Sequence, residues 1–174
     1  MRIPSGFVPA GVLGLALLAC ADTTGLQTYS GSPTSVLSEG LSPNRSQPLM
    51  LSGSGWGRIV FRQPEDGEAK IFFVTWLREL KPRTRYLLQQ AIDPVTDGVC
   101  TGGATNPAEW VTIGTGTKPF TITTGERGGF HAPLYRPLPR RLVGTTFDSH
   151  LRLIEEASGA VVQKSGCFQF QVNL

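Results

Sequence analysis

One seven-residue string restricts this chain more than any other: Leu80, Pro82, Thr84 and Tyr86 stand two residues apart, with Lys81, Arg83 and Arg85 between them, just ahead of an apolar run. An interval of two is the side-chain period of extended chain. Proline is a poor guest inside a helix or a central strand, so the string reads as a corner between two β-strands. In Greek-key sandwiches such a corner is often fixed by a tyrosine whose ring enters the core while its hydroxyl bonds nearby backbone, holding two antiparallel sheets in register. Leu80, Pro82, Thr84 and Tyr86 are therefore expected to form the structural corner of an all-β domain.

The flanking residues agree with that reading. Residues 71–77 are a β-branched and aromatic run, apolar on both faces, which suits a central strand. Ahead of them the chain alternates, with Ile59 and Phe61 on one face and Arg58, Val60 and Arg62 on the other. After the corner, Tyr86, Leu88, Gln90 and Ile92 alternate with Arg85, Leu87, Gln89 and Ala91. Further strands are expected at 110–113, 119–124 and 130–135, the last at an edge because Pro133 cannot donate to a ladder. Residues 145–154 place Phe147, Leu151 and Leu153 inward and Asp148, His150 and Arg152 outward. A closing element over 161–172 places Phe168, Phe170 and Val172 on one face and Cys167, Gln169 and Gln171 on the other. The run at 71–77 and the strand after the corner lack helical periodicity and helix caps. The expected fold is all-β: a single Greek-key, immunoglobulin-like antiparallel β-sandwich of about 7–9 strands, occupying residues 49–174.

The N-terminal region has a different character. Met1 and Arg2 give a short basic start, and residues 7–18 are an apolar stretch of signal-peptide length. Leu17-Leu18-Ala19-Cys20 then resembles the bacterial lipobox, in which cleavage before the cysteine exposes it for acylation. The resemblance implies a lipoprotein signal peptide over residues 1–19, lipidation of Cys20 and attachment to a membrane through that anchor. The protein is then exported to the bacterial envelope. Ala21 follows Cys20 directly and the aspartate is displaced to Asp22, which favours the outer membrane or cell surface. Residues 20–48, rich in Ser, Thr, Gly and Pro without a sustained period, read as a flexible tether. Gly53, Gly55 and Gly57 form a glycine-rich entrance to the domain, and they lack the following Lys-Ser/Thr and the helix that a phosphate-cradling loop requires.

The chain has three cysteines, so lipidation of Cys20 leaves one pair, Cys100 and Cys167, for a disulfide in an oxidising compartment. Such a bridge pins the long loop at 93–107 onto the last strand. The string Leu-x-Pro-x-Thr-x-Tyr resembles the corner of fibronectin type III modules, which implies the same local sandwich geometry here. A disulfide from a mid-domain loop to the terminal strand, together with Gly57, Val60 and Phe61, also resembles copper/zinc superoxide dismutase sandwiches. That family holds its metals with a histidine cluster, whereas this chain has only His131 and His150. No metal site and no cofactor are expected.

The formal net charge of +3 implies no bulk electrostatic partner, and nucleic acid is not expected. Two basic clusters, Arg78 with Lys81, Arg83 and Arg85, and Arg136 with Arg140 and Arg141, are candidates for anionic glycan or lipid headgroups and otherwise read as solvated loop charges. Asp93 and Asp97 lack the dense oxygen-ligand alternation of a calcium loop. No Gly-x-Ser-x-Gly elbow occurs. Asp148 and His150 share a strand face and read as exposed polar residues, while Trp56, Trp76 and Trp110 are expected in the core. These features suggest a non-enzymatic, lipid-anchored binding or structural module with an unknown protein or glycan ligand. The alternatives are a small carbohydrate-active or hydrolytic enzyme using dispersed acids near the 93–107 loop, and a metal-carrying cupredoxin-like sandwich.

Overall fold

The computed structural model describes residues 46–104 and 106–174. The expected signal peptide, Cys20 and the tether up to residue 45 lie outside the described residues. Ten strands follow in order: β1 (Ser46–Gly53), β2 (Trp56–Arg62), β3 (Lys70–Arg78), β4 (Arg85–Asp93), β5 (Val111–Thr112), β6 (Ile122–Thr123), β7 (Phe130–Pro137), β8 (Thr146–Glu155), β9 (Val161–Ser165) and β10 (Phe168–Gln171). Two short 3-10 turns, Pro107–Glu109 and Arg140–Leu142, complete the described elements. β1 begins at Ser46, so residues 46–48 belong to the sheet rather than to the tether. Glycines 53 and 55 are the turn of the β1–β2 hairpin, where their positive φ angles suit a residue without a side chain. The closing element of the sequence reading divides in two between Ser165 and Phe168.

All strand pairings are antiparallel, in the order β5-β4-β8-β9-β1-β2-β3-β7, with β10 beside β8 and β6 beside β4. The fold is thus all-β and sandwich-like, made from one sheet curled into a half-barrel. One wing is β1-β2-β3-β7. The other is β4 and β8 with the short strands around them, and the β1–β9 pairing joins the two. The outer ends of the curl also meet, because Tyr135 N–H donates to the Gly114 carbonyl at 2.8 Å and the Tyr135 carbonyl accepts from Gly116 N–H at 3.2 Å. Curling converts the strand alternation into an inside and an outside. Ile59, Phe61, Ile71, Phe73 and Leu77 of the first wing face Leu88, Leu151, Leu153, Phe168 and Phe170 of the second, all of them buried. Phe61 is the hub, with ring centroids 5.7 Å from Phe73, 5.4 Å from Phe168 and 5.0 Å from Phe170. Truncating so central an aromatic residue typically costs about 3–5 kcal/mol.

β3 and β4 belong to different wings, so the corner at residues 79–84 carries the chain from one to the other. Leu80 and Tyr86 are buried as the two apolar ends of that corner. The fastening differs from the tyrosine hydroxyl expected from sequence. Register sets Tyr86 opposite Ile122 and Glu155, its ring lies in the core, and its hydroxyl makes no hydrogen bond among the described residues. The corner is instead held by the turn at 124–129. The Thr124 hydroxyl accepts from Thr84 N–H at 3.0 Å and donates to the Lys81 carbonyl at 2.6 Å. Leu80 N–H donates to the Gly128 carbonyl at 3.2 Å and Arg83 N–H to the Gly125 carbonyl at 3.3 Å. Gly128 is left-handed and lies so close to Leu80 that a Cβ there would overlap the Leu80 carbonyl.

The three tryptophans are not in the core. Trp56 and Trp76 share strand parity with Arg58 and Arg78, so the alternation that buries Ile59 and Leu77 sends both indoles outward. Trp110 is half-buried on the outside of the second wing.

Candidate functional site, an aromatic and cationic sheet face

The outer face of β1-β2-β3-β7 gathers side chains that the core does not use. Two Trp-x-Arg pairs lie on neighbouring antiparallel strands, Trp56 and Arg58 on β2, Trp76 and Arg78 on β3. Register crosses them, so Trp56 faces Arg78 and Arg58 faces Trp76. Each arginine lies over the facing indole, Arg78 Cζ 5.4 Å from the Trp56 ring and Arg58 Cζ 5.8 Å from the Trp76 ring. His131 of β7 stacks on Trp76 with centroids 4.9 Å apart and ring planes 15° from parallel. Met50 of β1 sits beside Arg58 and is 54% exposed, while Trp56 is 36% exposed. Between Arg58 and Arg62 lies an apolar band of Pro48, Val60, Val74 and Pro133 on four adjacent strands. Where Trp76, Arg78, Phe130 and His131 meet Gly129, the face deepens into an open cleft of about 430 Å³.

The charge carried by this face at Arg58, Arg62 and Arg78 is of one sign. Arg58, Arg62 and Arg78 form no ion pair among the described residues, and no acidic residue shares their face in the register of these four strands. Lys70, at the far end, is neutralised by Asp66 at 2.6 Å and Glu68 at 2.7 Å, which raise its pKa. The corner behaves in the opposite way. Lys81 pairs with Glu155 at 2.9 Å, Arg83 with Glu126 at 2.6 Å and Arg85 with Glu156 at 2.7 Å. The basic cluster expected around the corner is therefore spent on ion pairs, except for Arg78, which belongs to the sheet face. Arg136 of the second cluster is half-buried, donates to Gln90 Oε1 at 3.1 Å, and has its pKa lowered by that burial; Arg140 and Arg141 lie apart from it on an exposed 3-10 turn.

A second stack of the same three residue types stands on the opposite wing. His150 of β8 is parallel to Trp110, with centroids 4.7 Å apart and planes 6° apart, and Arg152 Cζ lies 4.0 Å over the same indole. Each of the three side chains here reaches a fixed partner. Trp110 Nε1 donates to the Gly103 carbonyl at 3.1 Å, His150 Nε2 lies 2.8 Å from the Gly102 carbonyl, and Arg152 Nε donates to Gln89 Oε1 at 2.8 Å. The loop that supplies those carbonyls is fastened from beneath. Asp93 and Asp148 are cross-strand neighbours, both buried. Asp93 accepts from Thr101 Oγ1 at 2.6 Å, from Thr101 N–H at 3.1 Å and from Val95 N–H at 3.1 Å. Asp148 accepts from Gly98 N–H at 2.6 Å and from Gln169 Nε2 at 3.2 Å. The Cys100–Cys167 disulfide, with Cα atoms 5.4 Å apart, staples the same loop to the segment before β10.

This arrangement corrects the reading of Asp148 and His150 as exposed residues on a wet strand face: the stapled loop folds over them. It also bears on dispersed-acid catalysis. A cleft beside the loop is lined by Asp93, Thr101, Gly102 and Glu109, yet the Glu109 carboxylate accepts from Gly103 N–H. Hydrogen bonds from the Thr101 hydroxyl and from loop amides hold Asp93 below the usual aspartate range. A general acid needs the opposite shift. Both carboxylates serve the loop. Asp97 likewise accepts from Val99 N–H at 2.9 Å, a turn role rather than a cation ligand. Among the described residues no three His, Cys, Asp or Glu side chains come together as a metal site needs.

Of the residues singled out from sequence, Cys100 and Cys167 come together, and Leu80 and Tyr86 anchor the corner. Thr84 donates its hydroxyl to the Pro82 carbonyl at 2.9 Å. The aromatic and cationic face was not among them. Its signal was present as the repeated Trp-x-Arg, which becomes legible once β2 and β3 are known to be paired with Trp56 opposite Arg78. Compared with known proteins, the chain matches no family model, no curated protein and no solved structure.

Proposed function

We propose that the protein is a non-enzymatic binding module of the bacterial envelope, anchored through a lipidated Cys20 and engaging its ligand with the outer face of β1-β2-β3-β7. The observation that carries this reading is the exposed set of Arg58, Arg62 and Arg78, without ion pairs among the described residues and with two of the three lying over indoles. A guanidinium stacked on a ring uses its flat face, and its in-plane N–H donors stay free for a partner. Three cations gathered on one sheet face with no acid among them suit a face that receives an anionic partner. The lipobox-like Leu17-Leu18-Ala19-Cys20 supports the anchor.

The test uses the full chain expressed in a bacterium fed labelled fatty acid. Wild-type protein is expected to carry label and to fractionate with the outer membrane, and the Cys20→Ala chain to carry none. In the same fractions, the doubly substituted Arg58→Ala, Arg78→Ala chain is expected to release envelope material that wild type retains. Equal labelling of wild type and Cys20→Ala removes the anchor. Unchanged retention by the double variant removes the face.

A further inference from the structure

We propose that the ligand of this face is an acidic glycan, a chain of sugars bearing carboxylates that lies along β2 and β3; the proposal rests on the reading of the face as the binding surface. Three observations point to this chemistry together. First, charge: three arginines without ion pairs among the described residues and no acid on the shared face make the surface complementary to a polyanion. Second, spacing: Arg78 lies level with Trp56, and Arg58 and Arg62 lie two and six residues further along β2. A ligand following the strand therefore meets cations over roughly 20 Å, a reach that suits an extended polymer rather than a single small anion. Third, ring presentation: Arg78 lies over Trp56, whose exposed indole offers a platform beside the cations, and the CH faces of sugar rings pack well on such an indole.

The same features argue against a membrane surface. Insertion needs projecting apolar side chains. Here Trp76 is flanked by Arg58 and His131, and the central band offers only prolines and valines, whose short side chains project little. Among the described residues, Met50 and Trp56 are the exposed large hydrophobic residues on this face. Carboxylate groups, in contrast, match the planar guanidinium forks of Arg58, Arg62 and Arg78, which make no ion pair among the described residues.

The experiment titrates the full Cys20→Ala chain, which removes any contribution from the lipid, with polygalacturonate, with neutral dextran and with vesicles of phosphatidylglycerol and phosphatidylethanolamine. Polygalacturonate is expected to bind with an affinity that falls as salt is raised. Arg58→Ala and Arg78→Ala are each expected to weaken it about ten-fold. Trp56→Ala should weaken it as well. Arg83→Ala, which breaks an ion pair at the corner, should leave it unchanged. Thermal melting of each variant verifies folding, and Arg58→Lys, which keeps the charge but not the planar fork, is expected to fall between wild type and Arg58→Ala. Equal, Trp56-dependent binding of dextran overturns the acidic ligand while leaving the face as the binding surface. Capture by vesicles without binding of polygalacturonate overturns the glycan in favour of lipid headgroups. Polygalacturonate binding that ignores every arginine and tryptophan substitution overturns both the ligand and the face.

Discussion

The two histidine–tryptophan–arginine stacks have the same composition and opposite surroundings. Around Trp110, the indole N–H, the His150 ring and the Arg152 guanidinium each reach a fixed partner, and a disulfide-stapled loop supported by Asp93 and Asp148 covers the group. Around Trp76, His131 and Arg58 are exposed and make no hydrogen bond among the described residues, with Arg62 and Arg78 beside them in the same condition. The difference shows that a cation stacked on an aromatic ring is not itself a sign of function. On the proposed reading, what separates the two stacks is whether each side chain is already tied to a fixed partner, as Trp110, His150 and Arg152 are.

That contrast can be broken or sharpened by perturbing one stack and observing the other. The largest effect should come from the staple. The bridge spans a sequence separation of 67, and removing it with the Cys100→Ser, Cys167→Ser pair should cost about 4 kcal/mol on the chain-entropy account. Denaturant unfolding measures that loss, and a change under about 1 kcal/mol would mean the carboxylates hold the loop without it. Next comes the indole itself. Trp110→Ala is expected to destabilise by about 3 kcal/mol through lost packing and unpaired loop groups. Trp56→Ala should cost under about 1 kcal/mol, as surface substitutions usually do. Comparable losses at the two sites would erase the distinction. Gly103→Ala should follow at about 2 kcal/mol, since Gly103 has φ 74° and a Cβ there would overlap the Trp110 indole. Smaller still is the junction between the wings. Thr124→Val is expected to cost about 1 kcal/mol through its bonds to Thr84 and Lys81, and Tyr86→Phe close to nothing.

The mildest probe is acid. Hydrogen bonds from Thr101 and the Val95 amide hold the Asp93 pKa below its unfolded value. The stabilisation it gives is therefore complete above the ordinary aspartate range and is lost as pH falls through the lower folded value. Amide exchange at Val95 and Thr101 should accelerate over that interval while amides of β2 and β3 keep their protection. Loss of protection in β2 at the same pH would show global unfolding in place of loop release.

Much of the fold was legible because burial follows parity. Alternation alone puts Ile59 with Phe61 on one face, Phe168 with Phe170 on another, and Leu151 and Leu153 inward, and all six are buried. What was not legible depends on pairing and on covering loops. Trp56 and Trp76 are core-like residue types at outward positions, a conflict that alternation in β2 and the pairing of Arg58 with Trp76 on β3 decide against propensity. Asp148 occupies an outward position yet is fully buried, because a loop distant in sequence folds over it. β1 was missed because its alternation is carried only by Leu49 and Leu51 among Ser, Gln, Pro and Gly. The corner was found but its fastening was not. A tyrosine hydroxyl is visible in a motif, whereas the Thr124 clamp comes from a turn some forty residues away.

The most direct test follows the three indole N–H resonances of the full Cys20→Ala chain by NMR, first in hydrogen exchange and then on addition of polygalacturonate. Trp110, bonded to the Gly103 carbonyl, should exchange slowly and keep its resonance position when the glycan is added. Trp56 and Trp76 should exchange quickly and shift together on titration. A Trp110 indole that exchanges as fast as the other two, or that alone responds to the glycan, would contradict the assignment of one stack to structure and the other to binding.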